Sequence, residues 1–179
     1  MPISDKALEI SRLVRLMSGK MGRTIRVATA ESCTGGRIAA ALTAIPGASE
    51  WFHTGVVAYT KESKQNVLGI PSDILAEGLI TEATAKAMAE GAARLSGADF
   101  ALSTTGSAGP SPSEGREPLT VWIGLRTPIG TLAKCVQAED RGRAENQSRA
   151  TLEALTFLSE TIAGELPGLD RIGSRDLWA

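Results

Sequence analysis

A chain of 179 residues suits one domain, and a hydrophobic content of 42% is enough to fill a packed core. A net charge of −1, a pI near 5.9 and the lack of any Lys/Arg-rich block argue against nucleic acid as a partner. No apolar stretch approaches the ~18 residues of a membrane-spanning helix, and two distant cysteines with one histidine leave no Cys/His cluster for zinc.

In chain order, Ala7, Leu8, Ile10, Leu13, Val14, Leu16 and Met17 alternate with charge, which predicts a helix over 4–22 capped by Ser4 or Asp5. Residues 25–30 read as a buried strand. The loop that follows belongs to Thr29-Ala-Glu-Ser-Cys-Thr-Gly-Gly36 and leads into a short helix over 34–44. Pro46-Gly47 marks a turn, 54–60 a second strand, and 61–68 a helix that stops at Gly69. An Ala-rich helix over 81–95 takes Thr81 as its cap, and a third strand covers 98–105. A Gly/Pro/Ser loop is expected over 106–118, then strands over 119–125 and 130–136 around the hairpin signal Thr127-Pro-Ile-Gly130. A long helix over 144–164 closes the domain. Residues 166–179 read as a peripheral tail, whose Leu177 and Trp178 offer apolar surface to a partner chain.

Interleaved strands and helices predict one domain over 1–165. Its fold class is α/β, a three-layer α/β/α sandwich with a mixed, mostly parallel sheet of about five strands. In such sheets ligands bind where loops leave the strand ends. The first loop joins a strand to a helix, so it offers backbone N–H groups and a dipole to a phosphate or an oxyanion. It also carries two candidate nucleophiles, Ser32 and Cys33. A helix N-terminus lowers a thiol pKa, whereas cysteine more often packs as a small hydrophobe and Ser32 has the competing role of a cap.

The only histidine, His53, reads as an ordinary loop residue just before the second strand. A serine nucleophile without histidine needs another base, and a lysine partly removed from water serves. Lys61 and Lys64 lie beside Tyr59, the only tyrosine. Tyr59 could relay a proton or orient the lysine, but spacing alone does not separate Lys64 from a solvated helix lysine. Ser103-Thr-Thr-Gly-Ser-Ala-Gly-Pro110 suits a phosphate or amide cradle, and Arg141 or Arg143 could hold a phosphate.

The segments Ala30-Glu-Ser-Cys-Thr-Gly-Gly36, Pro46-Gly-Ala-Ser49 and Gly55-Val-Val-Ala-Tyr59, with Lys64 and Leu68-Gly69, come in order along the chain. Ala87-Met-Ala-Glu-Gly91, Gly97-Ala-Asp99 and Thr105-Gly-Ser-Ala-Gly-Pro110 continue the series. Together they resemble the CinA C-terminal domain family, the nicotinamide-nucleotide amidases, over about residues 8–158. The resemblance implies hydrolysis of the carboxamide of nicotinamide mononucleotide to nicotinate mononucleotide and ammonia. It implies Ser32 as nucleophile, Lys64 as base and Tyr59 assisting. Substrate would be bound by Glu31, Cys33, Thr34, Gly35, Gly36, Thr105, Gly106, Arg141 and Arg143, with N–H groups from Cys33 to Gly36 on the oxyanion. No metal and no cofactor are implied. A nucleotide substrate, a cytoplasmic location and a homodimer are expected. Two segments depart from the family pattern. Ser111-Pro-Ser-Glu-Gly-Arg-Glu-Pro-Leu-Thr120 replaces a glycine-led stretch, and Gln147 stands where the family has arginine. These departures keep open a non-catalytic nucleotide-binding relative and a Ser-Lys hydrolase of another small amide.

Overall fold

The structure, a computed structural model, describes residues 2–165, so the predicted tail lies outside the described residues. Helix α1 (Ile3–Met21) buries Ala7, Ile10, Leu13, Val14 and Met17 along one stripe, as their spacing requires. Gly22 ends it in the left-handed region, where its N–H reaches the Gly19 carbonyl. Strand β1 (Val27–Glu31) is buried at every position, as expected of a strand covered on both faces. Helix α2 (Arg37–Thr43) follows, then a single 3₁₀ turn (Ala48–Glu50) and strand β2 (Phe52–Val57). His53, expected in the loop ahead of this strand, lies within it and is exposed.

Helix α3 (Lys61–Leu68) begins at a capping box. The Ser63 N–H donates to the Thr60 hydroxyl, and the Thr60 N–H donates to the Ser63 hydroxyl. A short helix, α4 (Ser72–Ala76), was not expected from the sequence. Helix α5 (Glu82–Ser96) has the predicted Thr81 cap, whose hydroxyl accepts from the Thr84 N–H. Strand β3 (Phe100–Ser107) runs two residues further than predicted, so Gly106 is strand rather than loop. The hairpin β4 (Thr120–Thr127) and β5 (Gly130–Gln137) forms as expected, and α6 (Arg143–Glu165) ends the described residues.

The five strands lie in the order β2-β1-β3-β4-β5. The first three are parallel and the last two pairings antiparallel, so the sheet is mixed. Helices α1, α2 and α6 cover one face, and α5, backed by α3 and α4, covers the other. Each face has its own core. Ile10, Ile38, Phe100, Ile123 and Leu155 belong to the first, Ala30, Leu68, Leu75 and Met88 to the second. From β1 the chain moves outward to β2 and then crosses back to β3 on the other side. The loops after β1 and β3 therefore part at one end of the sheet, and a crevice opens between them.

Candidate active site

Lys64 decides the character of this crevice. It lies on the first turn and a half of α3, with 1% of its surface exposed. Its Nζ donates to Ser32 Oγ at 2.9 Å, to the Ala58 carbonyl at 2.9 Å and to the Tyr59 carbonyl at 3.4 Å. Burial disfavours the charged amine and lowers its pKa from 10.5 to about 8, while Cys33 and Glu114 pull the other way. Ser32 is 8% exposed and opens on the crevice. Its N–H donates to the Thr104 carbonyl, which extends the β1–β3 pairing one residue past the strand end. The sheet itself thus holds the serine against the lysine. Lys61, the alternative base, is exposed at the start of α3.

Cys33 is also buried beside the crevice, and burial pushes its thiol up to about 12. A thiol held neutral at physiological pH is a poor nucleophile. The helix dipole cannot correct this, because α2 starts only at Arg37 and its N-terminus is already occupied. The occupant is Glu31. Its side chain is fully buried and accepts from the N–H groups of Gly36 (2.9 Å), Ile38 (3.1 Å) and Ala39 (2.8 Å), and from the Thr34 hydroxyl (2.7 Å). Thr34 in turn bonds Thr104 at 2.8 Å.

Glu31 and Thr34, expected to bind substrate, instead hold the loop to α2 and β3. Neither they nor Gly35 and Gly36 line the crevice. Two of the expected oxyanion donors are also engaged, since the Gly35 N–H serves the Ser32 carbonyl and the Gly36 N–H serves Glu31. The physical reason is the internal carboxylate. It satisfies the free N–H groups at the helix start, so they are not offered to a ligand.

The opposite wall comes from β3 and the segments that follow it. Thr105 and Gly106 line the crevice as expected, with the Thr105 hydroxyl donating to the Leu79 carbonyl at 2.6 Å. Gly106 is glycine because a Cβ there would sit 2.5 Å from the Thr120 carbonyl oxygen on β4, a demand of the sheet and not of a ligand. Of the two arginines, Arg143 lines the crevice, while Arg141 turns away to an exposed ion pair with Glu145. Arg143 donates to the Gly109 carbonyl at 2.7 Å and to the Tyr59 hydroxyl. The Tyr59 ring is half exposed, so its phenol meets Arg143 at the mouth, and only its backbone carbonyl meets Lys64.

Three further residues matter that the sequence reading gave no role. Gln147 is buried and donates to the Cys33 carbonyl at 2.8 Å. Asn146 donates to the Ala108 carbonyl and to Asp140, which fastens the start of α6 to the end of β3. Glu114, on the divergent loop, lines the crevice. The Gln147 amide sits on the helical face that carries Ala150 and Ala154, so its place in an apolar stripe was the available signal. The cleft measures about 190 Å³, room for a small head group rather than a whole nucleotide. Among the described residues no group of three His, Cys, Asp or Glu is placed to hold a metal ion.

Comparison with known proteins identifies the family of this fold. The model of the CinA C-terminal domain matches residues 11–162. The chain belongs to this family. A CinA-like protein of Anaeromyxobacter sp. (strain K) is 46% identical over 136 residues, covering 74% of this chain and 33% of that protein. The chain spans about a third of the length of the curated relatives it matches. Among solved structures, a competence-damaged protein (CinA) superfamily protein of Klebsiella pneumoniae superposes with a TM-score of 0.85 at 30% identity, covering 92% of this chain and 99% of the other. The competence/damage inducible protein CihA of Agrobacterium tumefaciens gives 0.78 at 34% identity, over 88% and 95%. The chain therefore matches nearly the whole of those solved chains and only one part of the longer curated relatives.

Proposed function

We propose that this CinA domain is a Ser-Lys amidase that converts nicotinamide mononucleotide to nicotinate mononucleotide and ammonia. The observation that carries the reading is the 2.9 Å contact between Ser32 Oγ and a buried, pKa-lowered Lys64 at the floor of a cleft. In its neutral form Lys64 takes the Ser32 proton while Oγ attacks the carboxamide carbon. The carbonyl π pair moves to oxygen. Lys64 then returns the proton to nitrogen as ammonia leaves, and water, deprotonated by the same amine, hydrolyses the acyl-enzyme. With the Gly35 and Gly36 N–H groups in use and Thr34 away from the crevice, the oxyanion donor in this segment narrows to the Cys33 N–H. Gln147 steadies this loop, since its amide donates to the Cys33 carbonyl. The ring end fits the small cleft, and the phosphate extends past Arg143 at the mouth.

Ammonia release from nicotinamide mononucleotide tests the reading. Ser32→Ala and Lys64→Ala should each lower kcat by about 10³-fold or more. A Ser32→Ala protein that keeps the wild-type rate would sink the mechanism. The loop over 111–120 departs from the family pattern beside the cleft and favours a second reading, a Ser-Lys hydrolase of a different small amide. A folded wild-type protein inert on nicotinamide mononucleotide, yet acylated on Ser32 by another amide or ester, would favour it.

A further inference from the structure

The loop between β3 and β4 holds a tight hairpin. The Ser113 N–H donates to the Arg116 carbonyl at 3.0 Å, and the Arg116 N–H donates back to Ser113 at 2.9 Å. The two residues between them, Glu114 (φ 51°) and Gly115 (φ 69°), are both left-handed, as in a type I′ turn. The first of these positions favours Asn, Asp or Gly, and a longer side chain is held there against its backbone preference. A strained residue beside a cleft is a reason to ask what its side chain does. Here the side chain spans from its loop to the segment before α5. Its Oε2 accepts from the N–H groups of Leu79 at 2.7 Å and Ile80 at 3.1 Å, and the residue lines the cleft. Among the described residues both hydrogen bonds to this carboxylate land on Oε2, which leaves Oε1 available to a ligand.

We propose that Glu114 contacts the substrate and selects carboxamides whose ring carries a fixed positive charge. The inference rests on the amidase reading for its substrate class. The charged side chains lining the cleft are Lys64, Arg143 and Glu114. Without Glu114 the cleft would offer only cationic groups and would repel a ring with a quaternary nitrogen. With it, a cationic ring finds a partner, and a neutral ring of the same shape gains nothing. A carboxylate anchored by two N–H groups is pre-organised for this, since its position is set before any ligand arrives. In a cleft this small, opposite charges lie close enough for the pair to change affinity about tenfold.

The test uses two isosteres that differ only in the ring charge, cationic 1-methylnicotinamide and neutral 3-methylbenzamide. Their dissociation constants are measured by NMR titration against the wild-type protein and Glu114→Gln at one pH. Glutamine keeps an oxygen for the Leu79 and Ile80 N–H groups, so the loop stays in place. The wild type should prefer the cation about tenfold, and the preference should vanish in Glu114→Gln. Equal binding of the two isosteres by the wild type overturns the proposal, as does failure to bind the cation or a preference that survives the substitution. The wild-type ratio decides the matter even if the variant is unstable. Cation preference in a protein that releases no ammonia from nicotinamide mononucleotide would uphold the role of Glu114 and sink the amidase. Ammonia release with equal binding of the isosteres would do the reverse.

Discussion

Lys64 has three oxygen acceptors around its ammonium, and burial pushes the neighbouring Cys33 thiol up to about 12. The groups that oppose its desolvation are Cys33 and Glu114. With a pKa of about 8, roughly a tenth of the molecules hold a neutral amine at pH 7. The sign for catalysis follows, because the base is the unprotonated form. kcat/KM should rise about tenfold per pH unit on the acid side and level off above about pH 8. A pH–rate profile already flat at pH 6 would exclude Lys64 as the base. In the sequence, spacing from Tyr59 did not separate this residue from a solvated lysine, and it was the family resemblance that pointed to it. Its burial was visible in one further way: Lys64 and Leu68 are four apart and share the inward face of an otherwise polar helix. Glu31 was harder to read. It lies next to Ser32 in the chain, yet its partners are N–H groups up to eight residues ahead, and only the folded turn of α2 shows that they converge on it.

Close approach between α5 and the sheet sets the shape of the wall that carries Leu79 and Ile80. Ala85 and Ala89 are fully buried on the helix, and Gly124 on β4 lies under it. A Cβ at Gly124 would fall 2.3 Å from the Ala85 carbonyl oxygen and 2.6 Å from Ser103 Oγ, which itself donates to that carbonyl at 2.6 Å. Backbone cannot yield as a flexible side chain would. Gly124→Ala should therefore destabilise the protein by about 1–3 kcal/mol, read as a lower midpoint in urea with an unchanged m-value. An unaltered midpoint would show that α5 can lift off the sheet at no cost. The Ala-rich pattern of α5 and the hairpin at Thr127–Gly130 were plain in the sequence because each rests on local rules, periodicity in one and turn chemistry in the other. The end of β3 was not. Gly106 and Ser107 open a Gly/Pro/Ser run with the composition of a loop, but both pair with β4, Gly106 opposite Val121 and Ser107 opposite Thr120, so the strand runs on in a buried ladder. Helix α4, five residues long, falls below the length at which periodicity carries information.

At the scale of the whole molecule, the buried lysine ties stability to pH. In the unfolded chain the amine titrates near 10.5, in the folded one near 8. Below about pH 8 both states hold the proton, and the fold bears the full cost of a charge out of water. Between about 8 and 10.5 the unfolded state is protonated and the folded state is not, so unfolding takes up a proton and stability rises with pH. Lys64→Met keeps the length of the side chain and removes this dependence. The difference in unfolding free energy, wild type minus variant, should grow in favour of the wild type by roughly 2 kcal/mol from pH 7 to pH 10. In a domain of this size that is about 5 °C in the thermal midpoint. The comparison cancels every titration the two proteins share, which isolates this one group. It is also independent of any substrate, and that makes it a check on the base itself. A general base near neutral pH requires a lysine that folding has made easier to deprotonate, and the same shift must appear as this gain. A difference that stays constant from pH 7 to pH 10 would mean that Lys64 keeps its ordinary pKa in the fold, and the amidase would then lack a base.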